Sequence, residues 1–346
     1  MDDKILSFIP KVYFPGSIFF GKQSFSYLKT INASRKIYVV SSHFAKDNRE
    51  LAKQLVGSSK LIIHSGEPTE LDVKRLRKSS KNSDIIIALG GGSVIDLVKT
   101  VKKELGLKMV AIPTTIGSGA EVSRFSLITD SNAGKKNVIS SPDLLPEVIL
   151  LNPLLYKNLE KREIIYQCID SLSHAIESLV SRFSNPLSDM LSITSLDNLY
   201  ESLLQLKNGD MNEDLLDSMK TASLLSGFAQ SIAATGLIHS FAHYFGAKNG
   251  IAHSKAVSLF FLDVLELNAR STDKYKKLNN LKNMSEGNFI RKLKALFAGV
   301  DLPQQKITMK EDVLVSAEEI RKNISTLSNP YSPKLDEIAL IIRKHL

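Results

Sequence analysis

Three of the chain's seven histidines lie between positions 239 and 253, in the run HSFAHYFGAKNGIAH. His239 and His243 are four residues apart, so on a helix they share a face. Upstream, in CIDSLSHAIE, Asp170 and His174 show the same spacing, among apolar Ile169, Leu172 and Ile176. A carboxylate set among core residues needs a partner, because burying it alone is costly. Asp170, His174, His239, His243 and His253 are therefore five potential ligands, placed on two helical elements and a loop. A divalent cation needs three or four of them, and neutral imidazoles with one carboxylate suit Zn²⁺ or Fe²⁺. Each pair taken alone also reads as a hydrogen-bonded Asp–His or His–His pair. Spacing does not say which histidine binds a metal and which does something else.

A second group of residues suits an anion. The apolar run DIIIAL (84–89) leads into Gly90, Gly91, Gly92 and Ser93, followed by the helical pattern VIDLVKTV. Glycines let a ligand approach the backbone closely, and a helix N-terminus behind them favours negative charge. Ser93 is either the helix N-cap or a hydroxyl donor to phosphate. The run KMVAIP (108–113) leads into a second loop with Thr114, Thr115, Gly117, Ser118 and Glu121. Ligands of open α/β sheets bind at the carboxyl ends of strands, so both loops should face one crevice. The G-x-G-x-x-G fingerprint is absent.

The elements that must position these groups follow from periodicity. KIYVV (36–40), KLIIHS (60–65), DIIIAL, KMVAIP and EVILLNP (147–153) read as strands, with helical patterns between them, the first through HFAKDNRELAKQLV. Unbroken apolar strands alternating with helices imply a parallel sheet covered on both faces. Beyond Pro153 the chain shows three- and four-residue apolar spacing, as in EIIYQCIDSLSHAIESLVSRF. The expected organisation is a Rossmann-like α/β dinucleotide-binding domain over 1–153 and an all-α metal-binding and substrate domain over 154–346.

Composition narrows the class. The chain has 346 residues, 43% hydrophobic and 23% charged, enough for two domains with sizeable cores. Its single cysteine, Cys168, excludes an internal disulfide framework and leaves a metal to His and carboxylate ligands. No apolar run approaches the roughly 20 residues needed to span a bilayer, and the start, MDDKILSFIPKVYF, does not read as a signal peptide. A cytoplasmic protein without a membrane partner is expected. The net charge of +9 is carried by scattered lysines with no nucleic-acid-binding pattern, so no nucleic-acid partner is expected.

In their order, YFPGSIFFG, GGGSVIDLVK, PTTIGSGAEVSRFSLITD, LLPEVILLNP, IDSLSHAIES, IHSFAHYFGAKNGIAH and SNPYSPKLDEI resemble the iron-containing (group III) alcohol dehydrogenases along almost the whole chain. The resemblance implies hydride transfer between NADH or NADPH and a small aldehyde or primary alcohol, in a cleft between the two domains. It assigns the metal, Fe²⁺ with Zn²⁺ as the alternative, to Asp170, His174, His239 and His253. His243 falls beside the nicotinamide and substrate, as proton relay or orienting group. Gly91, Gly92 and Ser93 match the pyrophosphate motif, Asp96 and Lys99 occupy that motif's acidic and basic positions, and Thr114, Thr115 and Ser118 match the second cofactor loop. Lys136 matches a basic position near the cofactor. The family also implies a homodimer.

Three departures bear on specificity. In NAD-preferring relatives an Asp follows the first Ser or Thr after the strand at 36–40; here the chain reads Ser41-Ser42-His43. With no carboxylate to repel a 2′-phosphate, and with Ser42 or His43 able to bond it, NADPH is expected to be accepted. The second cofactor loop reads GSGAE where the family has GTGSE, one hydroxyl fewer. Ser254 and Lys255 follow the last ligand where the family has Gly. Lys255 and the positive charge suggest an anionic aldehyde, and HSKAVSL resembles small reductases that act on phosphonoacetaldehyde. Glycerol or glycerol-1-phosphate dehydrogenases and dehydroquinate synthase-like lyases are the alternatives.

Overall fold

The computed structural model describes residues 12–131, 135–282, 289–298, 300, 302–303, 305–309 and 311–346; the amino-terminal stretch read above against a signal peptide lies largely outside them, at 1–11. The N-terminal part alternates strand and helix: β1 Ser17–Phe19, β2 Lys36–Ser41, α1 Ser42–Asp47, α2 Arg49–Val56, β3 Lys60–His64, α3 Glu70–Ser80, β4 Ile85–Gly90, α4 Gly92–Leu105 and β5 Lys108–Pro113. The hairpin β6 Phe125–Asp130 and β7 Lys135–Ser140 follows, then β8 Val148–Leu150. Six strands form one parallel sheet in the order β3-β2-β4-β5-β8-β1. The chain steps from β2 out to β3 and returns past β2 to β4. That reversal opens a crevice at the carboxyl ends of β2 and β4.

β4 shows why its sequence is unbroken. Ile87 and Leu89 face a core shared with the helices of the second half, including Ile164, Cys168 and Leu172. Ile86 and Ala88 face the opposite side, against Val94, Ile95 and Val98 of α4. Each such aliphatic side chain taken fully out of water contributes about 1.5–3 kcal/mol. Cys168 is wholly buried there, and burial pushes its thiol up to about 12, so it acts as packing.

The second half is helical: α5 Lys161–Val180, α6 Pro186–Lys207, α7 Glu213–Ala233, α8 Leu237–Asn249 and α9 His253–Ser271, then α10 Phe289–Phe297, α11 Val313–Arg321, α12 Ile324–Ser328 and α13 Leu335–Lys344. Among the described residues no single helix is long and apolar enough to cross a membrane.

The structure corrects four expectations. The single helix expected through 43–56 breaks at Asn48, whose φ and ψ of −128° and 43° are not helical. The antiparallel β6–β7 hairpin was not foreseen; Thr129 N–H donates to the Pro68 carbonyl (2.8 Å), fastening it to the loop after β3. Ser93 is not the N-cap of α4, because Gly91 takes that place and Ser93 sits in the first turn. His253 is not in a loop but is the first residue of α9.

Candidate metal centre and cleft

α5 and α8 bring three of the candidate ligands together, and the first residue of α9 adds the fourth. Gly250 ends α8 at φ 63°, a left-handed conformation that glycine adopts without steric cost, and the chain reverses into α9 at His253. Nε2 of His174 and Nε2 of His239 each lie 3.5 Å from Asp170 Oδ1, and Nε2 of His253 lies 3.7 Å from it. One ligand atom from each of Asp170, His174, His239 and His253 falls within 4.8 Å of all the others. Asp170, His174 and His239 are buried and His253 half-buried.

The donor chemistry of this group fits a cation. Asp170 Oδ1 and His239 Nε2 are buried without a hydrogen-bond partner, although they face each other across the cluster. Buried polar atoms are rarely left unpaired, and four converging ligand atoms of this kind are satisfied together by one divalent ion. His243 stands beside the group but outside it. Its ring centroid is 5.8 Å from that of His239 and 5.5 Å from that of His253, and its Nδ1 is buried without a partner.

Glu177, one further turn along α5, holds His239 in place. Nδ1–H of His239 donates to Glu177 Oε2 (2.6 Å), which leaves Nε2 to face Asp170. Glu177 also accepts from the Gly236 N–H (2.7 Å) and the Ile238 N–H (2.7 Å), so it caps the start of α8. A Cβ on Gly236 would lie 2.9 Å from Glu177 Oε1, so only glycine leaves this carboxylate room. Just before it, Ala234 adopts φ 62° and ψ 177°, a conformation that side-chain-bearing residues rarely adopt. Sequence reasoning gave Glu177 no role. The available signal was a carboxylate seven residues from Asp170 on the same apolar helix face.

Charge in the cluster is set by burial against close partners. Burial alone would raise Asp170, but the imidazoles of His174, His253 and His239 outweigh it and hold the carboxyl at about 2. Burial pushes His174 down to about 3 and His253 to about 4, and takes His243 well below the ordinary histidine value. His239 moves the other way: burial opposes its charge, but the Asp170 and Glu177 carboxylates beside it lift it to about 9.

The glycine end faces the same cleft, a cavity of about 2010 Å³ that also reaches the histidines. Gly91 and Gly92 stand at the start of α4. A Cβ on Gly91 would lie 2.9 Å from Thr115 Cγ2, and one on Gly92 would lie 3.1 Å from Ser118 Cβ. The Thr114 N–H donates to the Gly90 carbonyl (3.1 Å), so the two loops meet. α5 supports the second loop from behind. Gln167 Oε1 accepts from the Ile116 N–H (2.8 Å), and Ser171 Oγ–H donates to the Gly117 carbonyl (3.1 Å). One helix therefore carries two metal-ligand candidates and two props of the loop that follows β5.

The cleft is lined by Ser42, Gly91, Gly92, Ser93, Asp96, Thr114, Thr115, Ser118 and Lys136. Ser42 and His43 open α1, which Ser41 caps by accepting from the Phe44 N–H. Asp96 is engaged within the protein: it accepts from the Leu127 N–H (3.1 Å) and pairs with Lys99 (3.4 Å). Lys99 is fully buried, donates to the carbonyls of Ala120 and Phe125, and does not line the cleft. Lys220, also buried, pairs with Glu121 at 2.6 Å. These two lysines tie down the loop from both sides. Lys136 pairs with Glu67 at 3.0 Å. Lys255 does not line the cleft, so the support it gave to an anionic substrate is withdrawn.

Comparison with known proteins covers both halves. Residues 15–153 match the family model described as iron-containing alcohol dehydrogenase, and residues 164–346 match the model of the C-terminal part of that family. The aldehyde-alcohol dehydrogenase 2 of Entamoeba histolytica is 25% identical over 94% of this chain, and the chain spans 42% of that relative's length. The NADPH-dependent butanol dehydrogenase of Clostridium saccharobutylicum is 28% identical over 76% of both chains. The crystal structure of a 1,3-propanediol oxidoreductase superposes with a TM-score of 0.85 over 98% of this chain and 100% of the other, at 22% identity, so the two share the fold.

Proposed function

The chain belongs to the iron-containing alcohol dehydrogenase family, and on that premise we propose that it is an NAD(P)-dependent oxidoreductase interconverting a small aldehyde and its primary alcohol. The observation that carries this reading is the four-atom Asp–His group in the same cleft as two glycine- and hydroxyl-bearing strand ends. In the same reading residues 1–153 and 154–346 act as cofactor and metal domains of a cytoplasmic homodimer.

Asp170, His174, His239 and His253 would hold Fe²⁺, with Zn²⁺ suited to the same donors. Such an ion supplies Lewis acidity toward a substrate oxygen. A nicotinamide cofactor carries the hydride, and the protein supplies binding and orientation. The backbone at Gly91 and Gly92, with the N-terminus of α4, receives the pyrophosphate. Ser93, Thr114, Thr115 and Ser118 offer hydroxyls along the same wall. Asp96 contributes by fixing that wall through Leu127 and Lys99. Ser42 and His43 occupy the positions after β2 where NAD-preferring relatives carry an Asp, so NADPH is accepted. Burial keeps His243 neutral at pH 7, a state in which it can pass a proton between a substrate hydroxyl and water. Lys136 stands at the histidine end, close enough for its charge to act on His243 and His253.

The test is an anaerobic panel of aldehydes and alcohols with NADH and NADPH, using enzyme loaded with each metal. Net cofactor turnover with short aldehydes is expected, and none with any carbonyl or alcohol would refute the reading. Exclusive use of glycerol or glycerol 1-phosphate would move it to those dehydrogenases, and conversion without net cofactor change to a dehydroquinate synthase-like lyase. Phosphonoacetaldehyde belongs in the panel on the strength of the HSKAVSL likeness.

A further inference from the structure

The basic side chains lining the cleft, among the described residues, are Lys136, Arg124 and Arg182. They differ in what already neutralises them. Lys136 is paired with Glu67 at 3.0 Å and its side chain is 4% exposed, so a counter-charge already accompanies it. Arg182 is exposed, and its Nε and Nη2 donate to the Asn329 carbonyl (2.7 Å) and Ser332 Oγ (2.6 Å).

Arg124 is half-buried, and no carboxylate among the described residues pairs with it. Its Nε–H donates to the Ser231 carbonyl (3.0 Å), its backbone N–H donates to Ser231 Oγ (3.0 Å), and its guanidinium stands 5.1 Å from the centre of the Phe125 ring. These contacts fix the side chain without cancelling its charge. A guanidinium taken partly out of water and left without a counter-charge is an unfavourable arrangement that an anion in the cleft would relieve. Its planar fork, with Nε engaged, still has donors on both terminal nitrogens for a carboxylate or phosphonate. Ser231 lies near the C-terminal end of α7, and the chain runs from there through Ala234 to Gly236, which Glu177 binds beside His239. Arg124 and the metal-ligand candidates line the same cleft.

We propose that Arg124 is a specificity-determining residue that binds the anionic end of the substrate, so that the preferred aldehydes carry a carboxylate or phosphonate at the end remote from the carbonyl. This rests on the oxidoreductase reading above and names the substrate class for it.

The experiment compares 4-oxobutanoate with pentanal, a neutral aldehyde of similar length, at low ionic strength with the metal-loaded enzyme. Wild type should favour 4-oxobutanoate. Arg124→Met should lower the ratio of kcat/KM values (4-oxobutanoate over pentanal) by roughly 10- to 100-fold, the loss of one hydrogen-bonded charge contact, chiefly through KM. Added salt should narrow the wild-type preference. Arg124→Lys should recover part of the ratio. Arg124→Gln, which keeps a donor for the Ser231 carbonyl without the charge, reports the same loss should the methionine variant not fold. A wild-type preference for pentanal, an unchanged ratio, or equal losses on both aldehydes overturns the proposal while leaving the oxidoreductase reading in place. Turnover of neither aldehyde, nor of any other in the panel, overturns both.

Discussion

At one end of the cleft Gly91 and Gly92 present backbone, and a Cβ there would press on Thr115 and Ser118. At the other end Asp170, His174, His239 and His253 present side-chain atoms aimed at a common point. The first end recognises by what is missing, and is sensitive to a single methyl group. The second recognises by which atom carries a lone pair, and is sensitive to the partner behind each ring. The two are joined through α5, whose Gln167 and Ser171 hold the glycine-bearing loop while Asp170 and His174 belong to the Asp–His group. Binding at the two ends should therefore be separable by some substitutions and inseparable by others.

The largest expected effect lies at the joint. A Cβ on Gly117 would lie 2.4 Å from the Gln167 carbonyl oxygen and 2.7 Å from Gln167 Cα, both backbone atoms of α5. Gly117→Ala should destabilise the protein by about 1–3 kcal/mol and weaken both cofactor and metal binding, seen as a lower Tm and two raised Kd values. Gly92→Ala should raise only the cofactor Kd. Equal behaviour of the two variants would break the distinction between joint and end.

A smaller effect is expected at Glu177. Glu177→Gln leaves His239 without its carboxylate partner and should weaken metal binding roughly 10- to 100-fold, read from competition with a chelator. Cofactor affinity, measured by fluorescence titration of the metal-free enzyme, should stay within a factor of about two. Loss of both would mean that Glu177 supports the fold rather than the metal position.

The smallest is at the adenosine end. Ser42→Asp places a carboxylate where the 2′-phosphate would lie and should cut the NADPH-to-NADH ratio of kcat/KM by roughly tenfold, with metal content unchanged. An unchanged ratio would remove Ser42 from the cofactor site.

What the sequence made legible were the features with short-range signatures. Unbroken apolar runs marked β4 and β5, and four-residue spacing put Asp170 with His174 and His239 with His243 on shared faces. Features that depend on remote partners were hidden. Lys99 and Lys220 look like surface lysines in a one-dimensional reading; they are buried because Ala120, Phe125 and Glu121 arrive from elsewhere. The β6 and β7 strands lack a clean apolar alternation, and their place depends on Pro68 and Thr69. The break at Asn48 follows from a local backbone conformation within an otherwise helical pattern. Helical spacing alone could not separate His239 from His243. Glu177, which bonds one ring and not the other, distinguishes them in three dimensions.

That separation is the centre of the account, and metal stoichiometry tests it most directly. His239→Ala and His243→Ala, purified anaerobically after loading with Fe²⁺ or Zn²⁺, should differ in bound metal by elemental analysis. The account predicts that His243→Ala keeps a full complement of metal and loses most of its turnover, whereas His239→Ala loses both. Metal loss from His243→Ala, or full occupancy in His239→Ala, would contradict it.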